Sequence, residues 1–438
     1  MSTSANNGAP NAGAGTIGPV HYPGGGAKTT TKLNLLAKKW LNPLMGLWMI
    51  TGGLVMVDPS PYELMFFIVL PVAVLAGVGM HKTTLNILFL LVIFIAFGLI
   101  ADFQVTFMPI YKAMMYSAVT FYLWFTAFFV ANYIADAPHQ RLKVMINAYT
   151  GIAVFIVILG TLAYLRLIPD FGQLIENSRV RSTFKDPNVF APFLMIPAMF
   201  ALQRALMDKG RRALVSALIY GILFIGVFVS FSRAAWGYMF LSSAILFVLC
   251  FTLEANARDK GRMTMLALAG AGALIVALVA LLSIDSVREL FLTRASLAQN
   301  YDTGSTGRFG RQAYAFGLAL NNPWGIGPLE FRNLRISEEP HNTYVNVLHV
   351  YGWGGGLAYF ALVWMTLKRG FSVLARPSPN RLLLIPVISV FVPLVLEAAI
   401  IDTDHWRHYF LVVGMVWGIH AGYQRTCKAQ KTRRGALI

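Results

Sequence analysis

The sequence predicts an all-α polytopic membrane protein with about twelve transmembrane helices, and three observations carry that prediction. First, the chain of 438 residues is 57% hydrophobic and only 13% charged, where soluble globular chains carry about 25% charged residues. Second, apolar runs of about 18 residues recur along it, each long enough to cross roughly 30 Å of hydrocarbon as a helix. Third, the basic residues concentrate on alternate connections, as topology signals do. The runs are continuously apolar rather than alternating, which excludes a β-barrel.

Taken in order, residues 1–40 read as a disordered cytoplasmic tail, its first thirty residues rich in Gly, Ala, Asn, Ser and Thr. The tail has no apolar core of the signal-peptide type, so membrane insertion is expected to begin at the first helix. Apolar segments follow at 42–57, 62–80, 84–101, 110–134, 147–168, 189–206, 213–231, 234–253 and 263–283. Transmembrane helices 1–9 therefore occupy 41–283. A long, partly helical periplasmic loop spans 284–341, with helical patterns at 285–299 and 307–320, a stop at Asn321-Asn322-Pro323 and a tight turn through Gly325-Ile-Gly327. Segments 342–367, 382–401 and 406–424 supply helices 10–12 within 342–424, and 425–438 is a basic cytoplasmic tail. A second long outer loop covers 169–188.

With the N-terminus cytoplasmic, 23 of the 36 Lys and Arg residues fall on inner connections, accompanied only by Asp136, Asp208, Glu254 and Asp259. The net charge of +17 thus belongs to one face. The positive-inside rule and anionic lipid account for it. A nucleic-acid partner is excluded, because no basic groove interleaved with aromatics is present. Cys250 and Cys427 both fall on the inner side and form no disulfide framework. The outer cations are nearly all arginine, whose planar fork suits phosphate oxygens, although outer loops also simply avoid topogenic lysine.

Several residues could carry chemistry. His341 follows Pro340 and opens the tenth apolar segment at the membrane–water boundary, with Glu338 and Glu339 beside it to raise its basicity. An interfacial polar residue at a helix start would look the same. His349 lies about 12 Å deeper along the helix, too far for a shared metal, so a zinc reading is rejected. Arg233, in Ser230-Phe-Ser-Arg-Ala-Ala-Trp236, sits in a tight outer turn, where a cation either snorkels or meets an anion. Arg308 and Arg311, with Gln312, fall on the first turn of the 307–320 helix, after the glycines of Gly304-Ser-Thr-Gly307. A helix start with cations suits an anion, but the Lys-Ser/Thr ending of a P-loop is missing. Glu397 lies within the eleventh segment and is either functional or half of a structural ion pair with Arg233 or Arg407. Arg181, with Arg179 and Lys185, precedes Asp186-Pro-Asn188, a turn and helix start. Asp402-Thr-Asp404 has the Asp-x-Asp spacing of many metal-dependent transferases and lies at the outer edge.

Ser232-Arg-Ala-Ala, Arg308 with its following helix, Asn322-Pro-Trp-Gly-Ile-Gly327, and Pro340-His-Asn-Thr-Tyr344 before Gly352, Gly354, Gly355 and Gly356 resemble the bacterial O-antigen ligase and O-antigen polymerase family. Asp186-Pro-Asn188 and the long loop before the tenth segment fit the same resemblance. It covers nearly the whole chain after the tail, and the order and spacing of the motifs carry it. The resemblance implies a GT-C-like membrane glycosyltransferase of surface polysaccharide biosynthesis in the bacterial inner membrane, both termini cytoplasmic. It would move a glycan from undecaprenyl pyrophosphate to an acceptor hydroxyl at the periplasmic face. The acceptor would be lipid A-core for a ligase, or another lipid-linked repeat for a polymerase. By the same resemblance His341 is catalytic, and Arg233 and Arg308 bind the pyrophosphate, with a weaker claim for Arg311. Arg181, Glu397 and Asn342 are, from the residues alone, the candidates for a supporting role. No metal and no cofactor is implied; the Asp402/Asp404 pair is the departure from that pattern. The partners are the two glycan-bearing substrates and membrane lipids. The rival reading is a twelve-helix transporter of a small solute or lipid-linked glycan, suited by Glu397 and His349. The sequence shows no paired halves with interrupted helices of the kind a transporter would have.

Overall fold

A computed structural model describes residues 31–169, 172–295, 304–334 and 338–435. The N-terminal tail to residue 30 and the 296–299 end of the first loop pattern lie outside the described residues. Among the described residues the chain is nearly all helix. Helix overlaps every one of the apolar segments, and 189–206 is divided between two helices. Nine stretches are long and apolar enough to cross a membrane: α3 (Leu85–Asp102), α4 (Ile110–Asp136), α5 (Pro138–Tyr164), the pair α6 (Pro187–Phe193) and α7 (Met195–Met207), α8 (Gly210–Val229), α9 (Arg233–Leu253), α10 (Ala257–Leu282), α14 (Thr343–Leu374) and α15 (Pro379–Glu397). The other three segments contain α1 (Lys32–Thr51), with three lysines in its first half, the 15-residue α2 (Pro61–Leu75), and α16 (Arg407–Gly435), whose last third is polar. The long loop holds α11 (Asp285–Ala295), α12 (Arg308–Asn321) and the short α13 (Phe331–Leu334).

Local chemistry sets many of the helix starts. Pro61, Pro138, Pro187 and Pro379 occupy first-turn positions, where the missing N–H costs nothing. Asp186, Asn256 and Asn342 cap the helices that follow them with their side chains. In hydrocarbon, helices also satisfy every backbone group internally.

The core is built on α4, α14, α15 and α16. α16 lies directly along α4, because Gly414 and Gly418 leave no room between them: a Cβ there would sit 2.7 and 2.8 Å from the carbonyl oxygens of Ala127 and Ala131. Gly422 meets Pro138 in the same row. Small residues every fourth position let membrane helices approach this closely. α10 buries only Met263 and is the peripheral helix.

Two features were not legible in the sequence. The 169–188 loop contains a two-stranded antiparallel hairpin, β1 (Ile175–Glu176) with β2 (Arg179–Val180), turned through Asn177 and Ser178 in the left-handed region. And α14 is broken at Gly352, with φ 70° and ψ −176°. The turn after α12 packs against the break. Ile326 N–H donates to the His349 carbonyl (2.8 Å), Gly327 N–H to that of Val350 (3.2 Å), and Trp353 N–H to that of Pro323 (2.9 Å). The fit is reciprocal: a Cβ on Gly325 would sit 2.3 Å from the Val350 oxygen, and one on Gly352 would sit 2.4 Å from the Pro323 oxygen.

The two ends of the bundle differ. At one end Asp136 gathers His81 (2.9 Å), Arg141 (2.9 Å) and Arg425 (3.3 Å), while Arg381 pairs with Glu254 (2.6 Å). The opposite end collects the α3–α4 and α8–α9 connections, residues 172–185, the start of α14 and the α15–α16 turn.

Candidate functional site

Among the described residues, seven non-glycine residues have positive φ: Arg166, Asn177, Ser178, Ser182, Phe231, Leu329 and His341. Among the described residues all seven lie at that second end of the bundle. Backbone held in sparsely populated regions clusters where function requires it.

His341 is the centre. Its φ of 54° is unusual for a residue with a Cβ and costs about 1–3 kcal/mol. Three hydrogen bonds hold it there. Asp402 Oδ2 meets the ring Nδ1 at 3.1 Å, Asp402 Oδ1 accepts from the Asn342 N–H at 3.0 Å, and Gln312 Nε2 donates to the His341 carbonyl at 3.1 Å. One carboxylate thus grips both the imidazole and the next peptide. With Nδ1 facing Asp402, Nε2 is the nitrogen left to exchange a proton with a ligand. Neither sequence neighbour touches the ring. Glu338 pairs with Arg311, and Glu339 pairs with Arg332 at 2.6 Å.

Asn342 caps α14, its Oδ1 accepting from Tyr344 N–H (3.1 Å) and Val345 N–H (3.2 Å). Thr343 ties the same turn to the end of α15. Its N–H donates to the Ala398 carbonyl (2.8 Å), and its hydroxyl donates to the Ile401 carbonyl (3.0 Å) and accepts from Thr403 N–H (2.7 Å). These bonds lock the start of α14 to the α15–α16 turn, which carries Asp402 and Asp404.

The candidate cations are arginines. Arg308 and Arg311 lie on the first turn of α12, as the spacing predicts. Arg311 is 3% exposed and committed to Glu338. Its guanidinium holds the Glu338 carboxyl below the usual carboxylate range, with His341 and Arg308 adding to the pull. Arg308, Arg311, Glu338 and His341 therefore share one electrostatic neighbourhood. Arg233 opens α9 and is half-buried. The turn before it is held by Arg179, which donates to the Ser230 carbonyl (2.9 Å) and to Asn188 Oδ1 (2.7 Å). Arg181 folds back on its own loop, donating to the Gln173 (3.0 Å) and Lys185 (3.2 Å) carbonyls.

A cavity of about 260 Å³ is reached between the 172–185 loop, α13 and the α15–α16 turn. Asp402, Asp404, Glu339, Asn346, Trp406 and Arg407 are among its lining residues. Asp404 accepts from Asn346 Nδ2 at 3.1 Å and faces His405 at 3.5 Å. Burial pushes the Glu339 carboxyl above its ordinary range, against the pull of Arg332. The two carboxylates of the Asp-x-Asp pattern thus serve different partners, one the His341 ring and the other Asn346 with His405. Among the described residues no group of three His, Cys, Asp or Glu is arranged to hold a metal ion.

Glu397 is the last residue of α15 and is 5% exposed. Both its oxygens are buried without a hydrogen-bond partner, within electrostatic reach of Tyr238, whose hydroxyl is also buried and unbonded. Arg407, named beside it in the sequence reading, pairs instead with Glu63 at 2.6 Å. Glu330 was not singled out in the sequence. It is buried and anchors the α3–α4 connection to the loop by accepting from Thr106 Oγ1 and the N–H groups of Phe107 and Met108.

No curated protein matches the chain. Residues 217–360 match the family model described as O-Antigen ligase. This third of the chain, which is similar to the O-antigen ligase family, runs from α8 through the break in α14 and includes Arg233, Arg308, Arg311 and His341.

Proposed function

We propose that the chain is a membrane glycosyltransferase of surface polysaccharide synthesis. It takes a glycan from undecaprenyl pyrophosphate and delivers it to a hydroxyl of lipid A-core or of another lipid-linked repeat. The observation that carries this reading is His341, oriented by Asp402 and sharing an electrostatic neighbourhood with Arg308, Arg311 and Glu338, while Asp402 also lines a polar cavity.

The donor brings its own leaving group, so the chain must stabilise charge and remove a proton. The acceptor oxygen attacks the anomeric carbon opposite the pyrophosphate. The new C–O bond forms as the bond to the phosphate oxygen breaks, with inversion, and the electron pair departs with the pyrophosphate. Arg308 and Arg233 meet that developing charge, and Arg311 holds the start of α12 through Glu338. His341 Nε2 takes the acceptor proton, and Asp402 stabilises the imidazolium that results. No metal is required in this scheme. The active-site end is periplasmic and the basic end cytoplasmic in a bacterial inner membrane, as the distribution of Lys and Arg supports. On this reading loop 284–341 positions the donor head, while helices 41–283 and 342–424 form the scaffold.

The test replaces the chromosomal copy with His341→Ala and examines surface glycan and lipid-linked precursor together. The expected result is loss of the transferred glycan with accumulation of its polyprenyl-linked precursor. An unchanged glycan profile at normal protein level would refute the assignment.

A further inference from the structure

The cavity beside Asp402 is not chemically suited to the pyrophosphate. Three cations line it, but each already holds a carboxylate: Lys185 with Asp58, Arg332 with Glu339, and Arg407 with Glu63. Of those partners only Glu339 lines the cavity itself; Asp402 and Asp404 add two carboxylates to the lining, beside cations that are already paired. A pyrophosphate there would meet like charge, which is how sites reject a wrong ligand. What the cavity does offer is acceptor atoms and aromatic surface. Asn346 is 2% exposed, lines the cavity, and its Oδ1 has no hydrogen-bond partner. Asp404 beside it leaves one oxygen beyond its bonds to Asn346 and His405. Trp406 and Tyr116 supply ring surface. A buried carbonyl-type oxygen without a donor is costly unless a ligand hydroxyl serves it.

We infer that this cavity is the subsite for the terminal sugar ring of the acceptor, an uncharged polyhydroxylated ring whose hydroxyls donate to Asn346 Oδ1 and Asp404. The inference rests on the transferase reading and deepens it. At about 260 Å³ the cavity has room for one ring rather than a chain, since sites for larger ligands run to about 300–1,000 Å³. Asp402 lines this cavity and also holds His341 Nδ1, so the subsite adjoins the residue that orients the base.

The experiment uses the full chain in lipid nanodiscs and two variants, Asn346→Leu and the shape-preserving Asp404→Asn. Donor and acceptor KM are measured separately in the transfer reaction. In parallel, calorimetry measures binding of saccharides released by mild acid from the surface polysaccharide of cells that make this protein. Both variants should raise acceptor KM about tenfold, the loss of one hydrogen bond to a buried group. Donor KM should stay unchanged, and saccharide binding should weaken in parallel. His341→Ala should bind saccharide like the parent. A rise in donor KM, or unchanged acceptor KM with unchanged saccharide binding, overturns the subsite. Failure of the transferase reading looks different: the parent would transfer nothing, while saccharide binding would still depend on Asn346 and Asp404.

Discussion

His341 is held in a conformation its side chain disfavours by bonds to its ring, its carbonyl and the following N–H. Two of the three come from Asp402. Asp402→Asn keeps the shape but removes the charge that supports an imidazolium. It should lower kcat by about a hundredfold or more, within the range of general-base catalysis, while donor and acceptor KM change little. Steady-state kinetics of the purified variant checks this, and a loss confined to KM would assign Asp402 to binding instead. His341 was legible in the sequence as a candidate because Pro340-His341 opens an apolar segment after a polar loop. Its partner was not, because Asp402 lies 61 positions away and meets His341 only when α14 and α15 are packed. Adjacency pointed to Glu338 and Glu339, and the peptide geometry turns both toward arginines. The Asp-x-Asp spacing suggested a metal, whereas the turn sends its two side chains to different partners.

Among the elements, α14 is the one whose shape the site depends on. Its hydropathy is continuous across Gly352, so the pattern reads as one helix, and nothing in periodicity reveals a break. The glycine clusters were visible, but their meaning is reciprocal: Gly325 and Gly352 matter because each backbone occupies the space of the other's Cβ. Gly352→Ala places a side chain in a region open essentially to glycine and should destabilise the protein by about 1–3 kcal/mol before the clash with Pro323 is counted. Thermal unfolding in detergent should show a clearly lower midpoint; a midpoint equal to the parent's would mean the break relaxes without cost. The same break bears on the transporter alternative. An interrupted helix in a transporter offers unwound carbonyls to an ion. Here the His349 and Val350 carbonyls are already taken by Ile326 and Gly327. The row Gly414, Gly418, Gly422 was a readable signal for the α4–α16 contact, at the four-residue spacing of close membrane helices.

Over the whole molecule, composition and run length made the helical membrane architecture legible, and the one-sided basic residues anticipated two chemically different ends. The basic end gathers around Asp136; the other end holds the strained residues, the cavity beside Asp402 and His341. Less legible was how the strained end is assembled. The sequence set arginines beside the histidine; packing adds Asp402 as the partner of its ring and places a cavity lined by Asp402, Asp404 and Glu339 next to that partner. The most direct test is a single-turnover reaction of the purified chain with a defined undecaprenyl-pyrophosphate glycan and acceptor, followed by the rate and by the anomeric configuration of the product. The account predicts an inverted linkage and a fall of at least about a hundredfold for His341→Ala. A retained configuration, or transfer by His341→Ala at the parent's rate, would contradict it.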